Sequence, residues 1–185
     1  MKALVVATDG FEDSEFSYPY YRLQEDSWEV DVATPDGDAV EGEYGYTFDA
    51  DHAIDERSPS AFADEYDLLV VPGGDSPEAL RTEAPEAADV VASFDEHDVP
   101  IAAICHGAQL LISADVLEGR RATGYWTLEV DIQNAGAEYV DEAVVADGNL
   151  VTSRVPDDLP AFMDRALDRV DQAEQAERGE PAVPA

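Results

Sequence analysis

Ile101-Ala102-Ala103-Ile104-Cys105-His106-Gly107 opens as an unbroken apolar run, reaches the only cysteine of a 185-residue chain, and continues with histidine and glycine. Such a run after Val99-Pro100 fits a parallel strand buried on both faces. Ala108-Gln109-Leu110-Leu111-Ile112 then has the pattern of a packed helix. A reactive side chain on a sharp strand-to-helix turn is the geometry of a nucleophile elbow. The turn lifts the side chain above the sheet edge, and the helix N-terminus is expected to favour thiolate over thiol. Most lone cysteines are inert core fillers. The histidine and glycine that follow shift the reading of Cys105 toward a nucleophile. With a single cysteine no disulfide can form within the chain, so nothing points to an oxidising compartment.

Outward from this turn, strand and helix signals alternate. Residues 2–7 and 28–33 form strands around a helix over 14–25. Residues 39–54 contain short β pieces, with Tyr44, Tyr46 and Phe48 expected on one face. Asp67-Leu68-Leu69-Val70-Val71 is a buried strand closed by Pro72-Gly73-Gly74. Helices follow over 85–94 and 127–134, a hairpin around Asp147-Gly148-Asn149, and a closing helix over 156–171. The alternation predicts an α/β fold: an open, mostly parallel sheet with helices on both faces. One domain is expected over 1–172, with a flexible C-terminal tail over 173–185. Ligands of such sheets bind outside the strands' carboxyl ends. That gathers Asp9-Gly10-Phe11-Glu12, Pro72-Gly73-Gly74 and Cys105-His106-Gly107 in one place.

A thiolate attacking a carbonyl needs a proton acceptor and donors for the oxyanion. Of three histidines, His52 and His97 are expected at the surface, and none follows His106. A Cys-His mechanism therefore has to use the adjacent His106. Acids are too abundant to nominate by type, so position selects them. Glu12 and Glu15 follow the first strand, and Glu78 follows the Gly73-Gly74 turn. Backbone N–H groups of Gly74 and His106 are the natural oxyanion donors, since glycine leaves the amide unobstructed. No phosphate-cradling glycine motif follows the first strand, and no CxxC or HExxH supplies metal ligands. The reading is an enzyme without cofactor or metal.

The charge is extreme: 43 acidic residues against 10 basic ones, a net of -33, with Lys2 the only lysine. The carboxylates are spread along a chain of ordinary hydrophobic content, so disorder does not account for them. High salt would screen their mutual repulsion, and the pattern resembles proteins of extreme halophiles. Nucleic acid and anionic membrane surfaces are poor partners for it. No apolar run approaches a membrane span and no signal-peptide pattern opens the chain, so a cytoplasmic location is expected.

The motifs together resemble the PfpI family of the ThiJ/PfpI superfamily. They are Phe11-Glu12-Asp13-x-Glu15 with Tyr18-Pro19-Tyr20, Val71-Pro72-Gly73-Gly74-x-x-Pro77-Glu78, Ile104-Cys105-His106-Gly107-x-Gln109, Asn134-Ala135-Gly136, and Asp147-Gly148-Asn149 with Ser153-Arg154-Val155-Pro156. The resemblance implies a flavodoxin-like three-layer sandwich of the class I glutamine amidotransferase type. It implies Cys105 as nucleophile and His106 as its partner. Glu78 would reach His106 of a neighbouring subunit, in a dimer or hexamer. Glu15 would be a protonated glutamate that tunes the sulfur, with Glu12 beside it, and Tyr125 would lie near the pocket. The chain departs from the family pattern at Ala108, where proline is frequent, and at Trp126-Thr127, where Pro-Gly is common.

The implied function is a cysteine-dependent hydrolase acting on small glyoxal adducts or on peptides. Conversion of methylglyoxal to lactate is the nearest alternative. A second class, without turnover, is a redox sensor or stress chaperone built on an oxidisable Cys105.

Overall fold

The computed structural model describes residues 1–179. In chain order the elements are β1 (Lys2–Val6), α1 (Asp13–Glu25), β2 (Glu29–Thr34), β3 (Val40–Glu41), β4 (Thr47–Phe48), β5 (His52–Ala53), α2 (Pro59–Ala63) and β6 (Leu68–Val71). They continue with α3 (Ser76–Glu83), α4 (Glu86–Glu96), β7 (Ile101–Ile104), α5 (Ala108–Ser113), β8 (Arg121–Ala122), α6 (Glu129–Asn134), β9 (Glu138–Tyr139), β10 (Val144–Asp147), β11 (Leu150–Ser153) and α7 (Leu159–Glu177).

Seven strands form the central sheet in the order β10-β11-β7-β6-β1-β2-β5. All its pairings are parallel except that of β10 with β11. The expected mostly parallel sheet with helices on both faces is therefore what forms. Its central strands read as continuous apolar runs because alternate residues feed two separate cores. Leu4, Val6, Leu69, Val71, Ile101 and Ala103 belong to one, against α2 to α6. Ala3, Val5, Leu68, Val70, Ala102 and Ile104 belong to the other, with Phe16 and Leu23 of α1 and Phe162, Met163 and Ala166 of α7. From β1 the chain crosses first to β2 and later to β6 on β1's other side. The resulting switch point lies beside the carboxyl ends of β1 and β6, the usual crevice of such sheets.

Three expectations are corrected. Tyr44 and Tyr46 do not share a face with Phe48. They project from the tight β3–β4 turn, 77% and 57% exposed, while Phe48 is buried and stacks on Phe16 at 4.1 Å. Asp13 holds that turn by accepting hydrogen bonds from the N–H groups of Tyr44 and Tyr46, each at 2.9 Å. The closing helix runs over Leu159–Glu177, past its expected end at 171. Residues 180–185 of the expected tail lie outside the described residues. His52 is half-buried rather than at the surface, its Nε2 2.8 Å from the Tyr66 hydroxyl. The short helices α2 and α3 were not anticipated, although each opens with proline in its first turn, a position that proline's fixed φ favours.

Among the described residues no helix is long and apolar enough to cross a membrane.

Candidate active site

Cys105 sits directly after β7 with φ at +58°. A non-glycine residue in the left-handed region costs on the order of 1–3 kcal/mol, and here the rigid β7–α5 corner imposes it. A single 3-10 turn, Cys105–Gly107, leads into α5. Gly107 permits this corner because a side chain there would meet the Val71 carbonyl oxygen at 2.5 Å. The elbow expected from sequence is thus present.

The loops after β1 and β6 close over it. Phe11 and Gly74 form an antiparallel bridge, and the Glu12 N–H donates to the Gly73 carbonyl at 3.2 Å. The Asp75 N–H donates to the Gly10 carbonyl at 2.7 Å. Gly74 has φ +76°, and a Cβ on it would strike the Gly10 oxygen and the Glu12 nitrogen. Glycine is needed here for this close approach as well as for an unobstructed amide. The backbone N–H groups of His106 and Gly74 favour the Cys105 thiolate, but by less than burial disfavours it.

The His106 Nδ1 lies 3.4 Å from the Cys105 Sγ. Burial lowers the pKa of the imidazole, while the Asp75 and Glu78 carboxylates pull it upward. The net direction is downward, so the ring is held neutral and free to accept a proton. Tyr125 covers its outer side, the two ring centroids 4.7 Å apart. The Tyr125 N–H donates to the Cys105 carbonyl at 3.1 Å and fixes this arrangement.

Glu15 is fully buried in the first turn of α1. Its Oε2 accepts from the Gly73 N–H at 2.8 Å, its Oε1 has no conventional partner, and the carboxyl interacts with the Cys105 sulfur. Desolvation, reinforced by the Glu12 charge, raises its pKa from the usual 4.5 to about 8. Glu12 caps α1, accepting from the Glu15 N–H at 2.7 Å and the Ser14 hydroxyl at 2.6 Å, and its charge acts on Glu15.

The thiol differs from the sequence expectation. Cys105 is 7% exposed, and burial together with the Glu15 carboxylate pushes its pKa up. A short helix terminus does not offset desolvation of an anion in so closed a corner. Protonation of Glu15 removes the repulsion and turns the carboxyl into a donor toward sulfur. An acid whose pKa is raised by folding stabilises the fold while protonated. That contribution is complete below about 4.5 and is lost as pH rises through about 8. Glu15→Gln should therefore flatten the pH dependence of stability across this window. Relative to the wild type it should gain on the order of a few kcal/mol between pH 5 and 9, read by denaturant titration at several pH values.

Glu78 is exposed in the first turn of α3, and among the described residues no hydrogen bond joins it to His106 within the chain. Sequence reasoning missed Asp75, whose charge acts on His106 more strongly than that of Glu78. It also missed Glu43, whose charge acts on Glu15 from the β3–β4 turn. Among 43 acids neither had a distinguishing signal. No group of three or more histidine, cysteine or acidic residues among those described is arranged to hold a metal ion.

An elbow cysteine on a flavodoxin-like sheet, with a buried glutamate at its sulfur, defines a class of cysteine hydrolases. The DJ-1/PfpI family pattern matches residues 1–169, and the chain belongs to that family. It is 47% identical over 163 residues to Deglycase TK1284 of Thermococcus kodakarensis, a match covering 88% of this chain and 95% of that protein. To Protein/nucleic acid deglycase 2 of Escherichia coli it is 44% identical over 169 residues, covering 90% and 95%. Among solved structures, a two-domain Anabaena variabilis protein with DJ-1/ThiJ/PfpI-like and ferritin-like domains superposes with a TM-score of 0.86 at 37% identity. That match covers 92% of this chain and about half, 48%, of the larger one.

Proposed function

We propose that the protein is a cysteine-dependent hydrolase that releases glyoxal-type adducts from amines. The observation that carries this reading is the pairing of Cys105 Sγ with a neutral His106 Nδ1 at 3.4 Å, on a turn whose amides face the sulfur. The names of the relatives from Thermococcus and Escherichia coli support it. In an adduct of an amine with methylglyoxal, the sulfur forms a bond to the carbon bearing the amine. Its proton passes to His106 and then to the departing nitrogen, which leaves as free amine. The hemithioacetal left on Cys105 shifts a proton between its two carbons to become a thioester. Water hydrolyses this to lactate and the thiol. The sum is adduct plus water giving amine plus lactate. The amides of Gly74 and His106 hold the oxyanion, and protonated Glu15 keeps a second negative charge away from sulfur.

Free methylglyoxal would enter the same hemithioacetal directly, so the glyoxalase reading shares every later step. The two differ in whether an amine is released. The nearly closed setting of Cys105 favours small substrates over folded proteins. A redox sensor or chaperone remains the contrasting class, distinguished by stoichiometric oxidation of Cys105 without turnover. The test is a panel in molar KCl, because we read the acidic surface as an adaptation to high salt. An amino acid adducted with methylglyoxal, methylglyoxal alone and a fluorogenic peptide are assayed in parallel. Release of free amine with lactate supports the reading. Turnover of methylglyoxal alone, or of none of the three, overturns it.

We also assign Glu78 to the His106 of a neighbouring subunit in a homo-oligomer, since it is exposed and makes no hydrogen bond to its own His106. Complementation checks this. Mixed oligomers of the Cys105→Ala and Glu78→Ala chains should recover about a quarter of wild-type turnover per site. No recovery, at unchanged oligomer size, would place Glu78 in its own chain's site.

A further inference from the structure

Helix α1 is apolar on both of its long sides. Phe16, Pro19 and Leu23 turn inward and are buried, while Tyr18 and Tyr21 stand outside, 37% and 54% exposed. The two tyrosines share a shallow groove with Ser14, Ser17, Arg22 and Glu25. The β3–β4 turn lies alongside. Tyr20 and Tyr21 pack on Phe48 with ring centroids 5.0 and 6.3 Å away, and the exposed Tyr44 and Tyr46 project from the turn itself. None of these tyrosines takes part in the hydrolytic steps, although Tyr18-Pro19-Tyr20 is one of the motifs of the sequence. Acids are scarce on this face of a chain that has 43 of them. Between Ser14 and Gln24 the only carboxylate is the buried Glu15, and exposed ones return at the margins, among them Glu25, Glu43 and Asp49. The other exposed apolar pair, Trp126 and Val130, is interleaved with the exposed acids Glu129 and Asp131.

We infer that this tyrosine face is the seat of a second copy of the chain, the same patch of each copy meeting about a two-fold axis. A helix apolar on both sides is stable when both are covered. Copies that each carry a net charge of -33 can approach only where carboxylates are sparse. A cationic partner would instead be held by the acid-rich remainder of the surface. Tyrosine suits such a contact because its ring gives rigid apolar area and its hydroxyl can bond at the rim. At about 200 Å² for a whole tyrosine, the exposed parts of the four rings offer about 450 Å² per copy. Ser14, Ser17, Arg22 and Glu25 add a polar rim, which brings the contact toward the roughly 800 Å² per partner of a stable interface. α3, which carries Glu78, packs on the opposite side of the sheet. Docking through α1 is therefore separate from the exchange assigned to Glu78, and it does not rest on the hydrolase reading.

The test is the particle mass by sedimentation equilibrium in molar KCl, where screening leaves apolar contact to decide association. Wild type should be at least a dimer at micromolar concentration. Tyr21→Glu with Tyr46→Glu places carboxylates in both halves of the contact and should weaken this association at least about 100-fold. Ala161→Glu with Gln172→Glu adds the same charge at exposed positions of α7 and should leave the mass unchanged. Tyr21→Ser with Tyr46→Ser adds no charge and should still weaken association at least about tenfold, which covers a fold disturbed by the glutamates. A monomeric wild type overturns the inference. So does an unchanged mass in the serine variant, or an equal loss in the α7 control. Mass needs no turnover, so this result leaves the hydrolase reading to its own assay.

Discussion

Cys105→Ala is expected to lower turnover of an adducted amine by at least about 10³-fold, to the level of the uncatalysed reaction. No other cysteine exists to substitute for it, and every proposed covalent step passes through its sulfur. The fold should tolerate the change. Apart from His106 Nδ1 at 3.4 Å, the amides that face it and the Glu15 carboxyl, the sulfur holds nothing together. Alanine keeps the same Cβ at the same positive φ, and stability should stay within about 1 kcal/mol of wild type. The measurement pairs steady-state kinetics in molar KCl with denaturant unfolding of both proteins. A folded variant that retains even a tenth of wild-type turnover would remove Cys105 from the mechanism. Lactate formed from methylglyoxal should disappear in the same variant, since the glyoxalase reaction would use the same hemithioacetal.

How much of this site could be read in advance depended on how local each cause was. β1, β6 and β7 were legible because strands buried on both faces require uninterrupted apolar runs, and the turns closing them carry their own signatures. The elbow was legible for the same reason. The β3–β4 turn was not: the alternation of Tyr44, Tyr46 and Phe48 looks like a strand. What overrides it is a long-range event, the Asp13 carboxylate accepting from the N–H groups of Tyr44 and Tyr46. A buried carboxylate with a backbone to hold looks in sequence like any other of the 43 acids. Asp75 and Glu43 were hidden in the same crowd. The state of the thiol was hidden for another reason. The elbow's local dipole favours thiolate, whereas the burial that opposes it comes from loops after β1 and β6, far away in sequence.

Gly73→Ala should be the most damaging substitution outside the reacting groups. A Cβ at residue 73 would overlap the Glu15 Oε2, lie 2.8 Å from the Cys105 Cβ and 2.9 Å from the His106 nitrogen. None of these neighbours can give way cheaply. The Glu15 carboxyl is fully buried and bonded to the Gly73 N–H, and the other two atoms belong to the elbow itself. Relief therefore has to displace the elbow, the Glu15 carboxyl or the Gly73-Gly74 loop that carries a proposed oxyanion donor. A shift of about 1 Å in such groups costs about 10²-fold in rate, and overpacking adds about 1–3 kcal/mol of destabilisation. Gly119→Ala is the informative control. Gly119 also has a left-handed φ, +75°, but nothing lies within 4 Å of its Cβ position. It should lose about 1–2 kcal/mol from backbone strain with kcat/KM unchanged. If Gly73→Ala kept wild-type kcat/KM while Gly119→Ala behaved as expected, the close approach of residue 73 to Glu15 and Cys105 would have no part in catalysis. Loss of rate confined to Gly73→Ala would tie activity to the interlock of the β1, β6 and β7 loops, in which one missing side chain lets a carboxyl, a thiol and an amide meet.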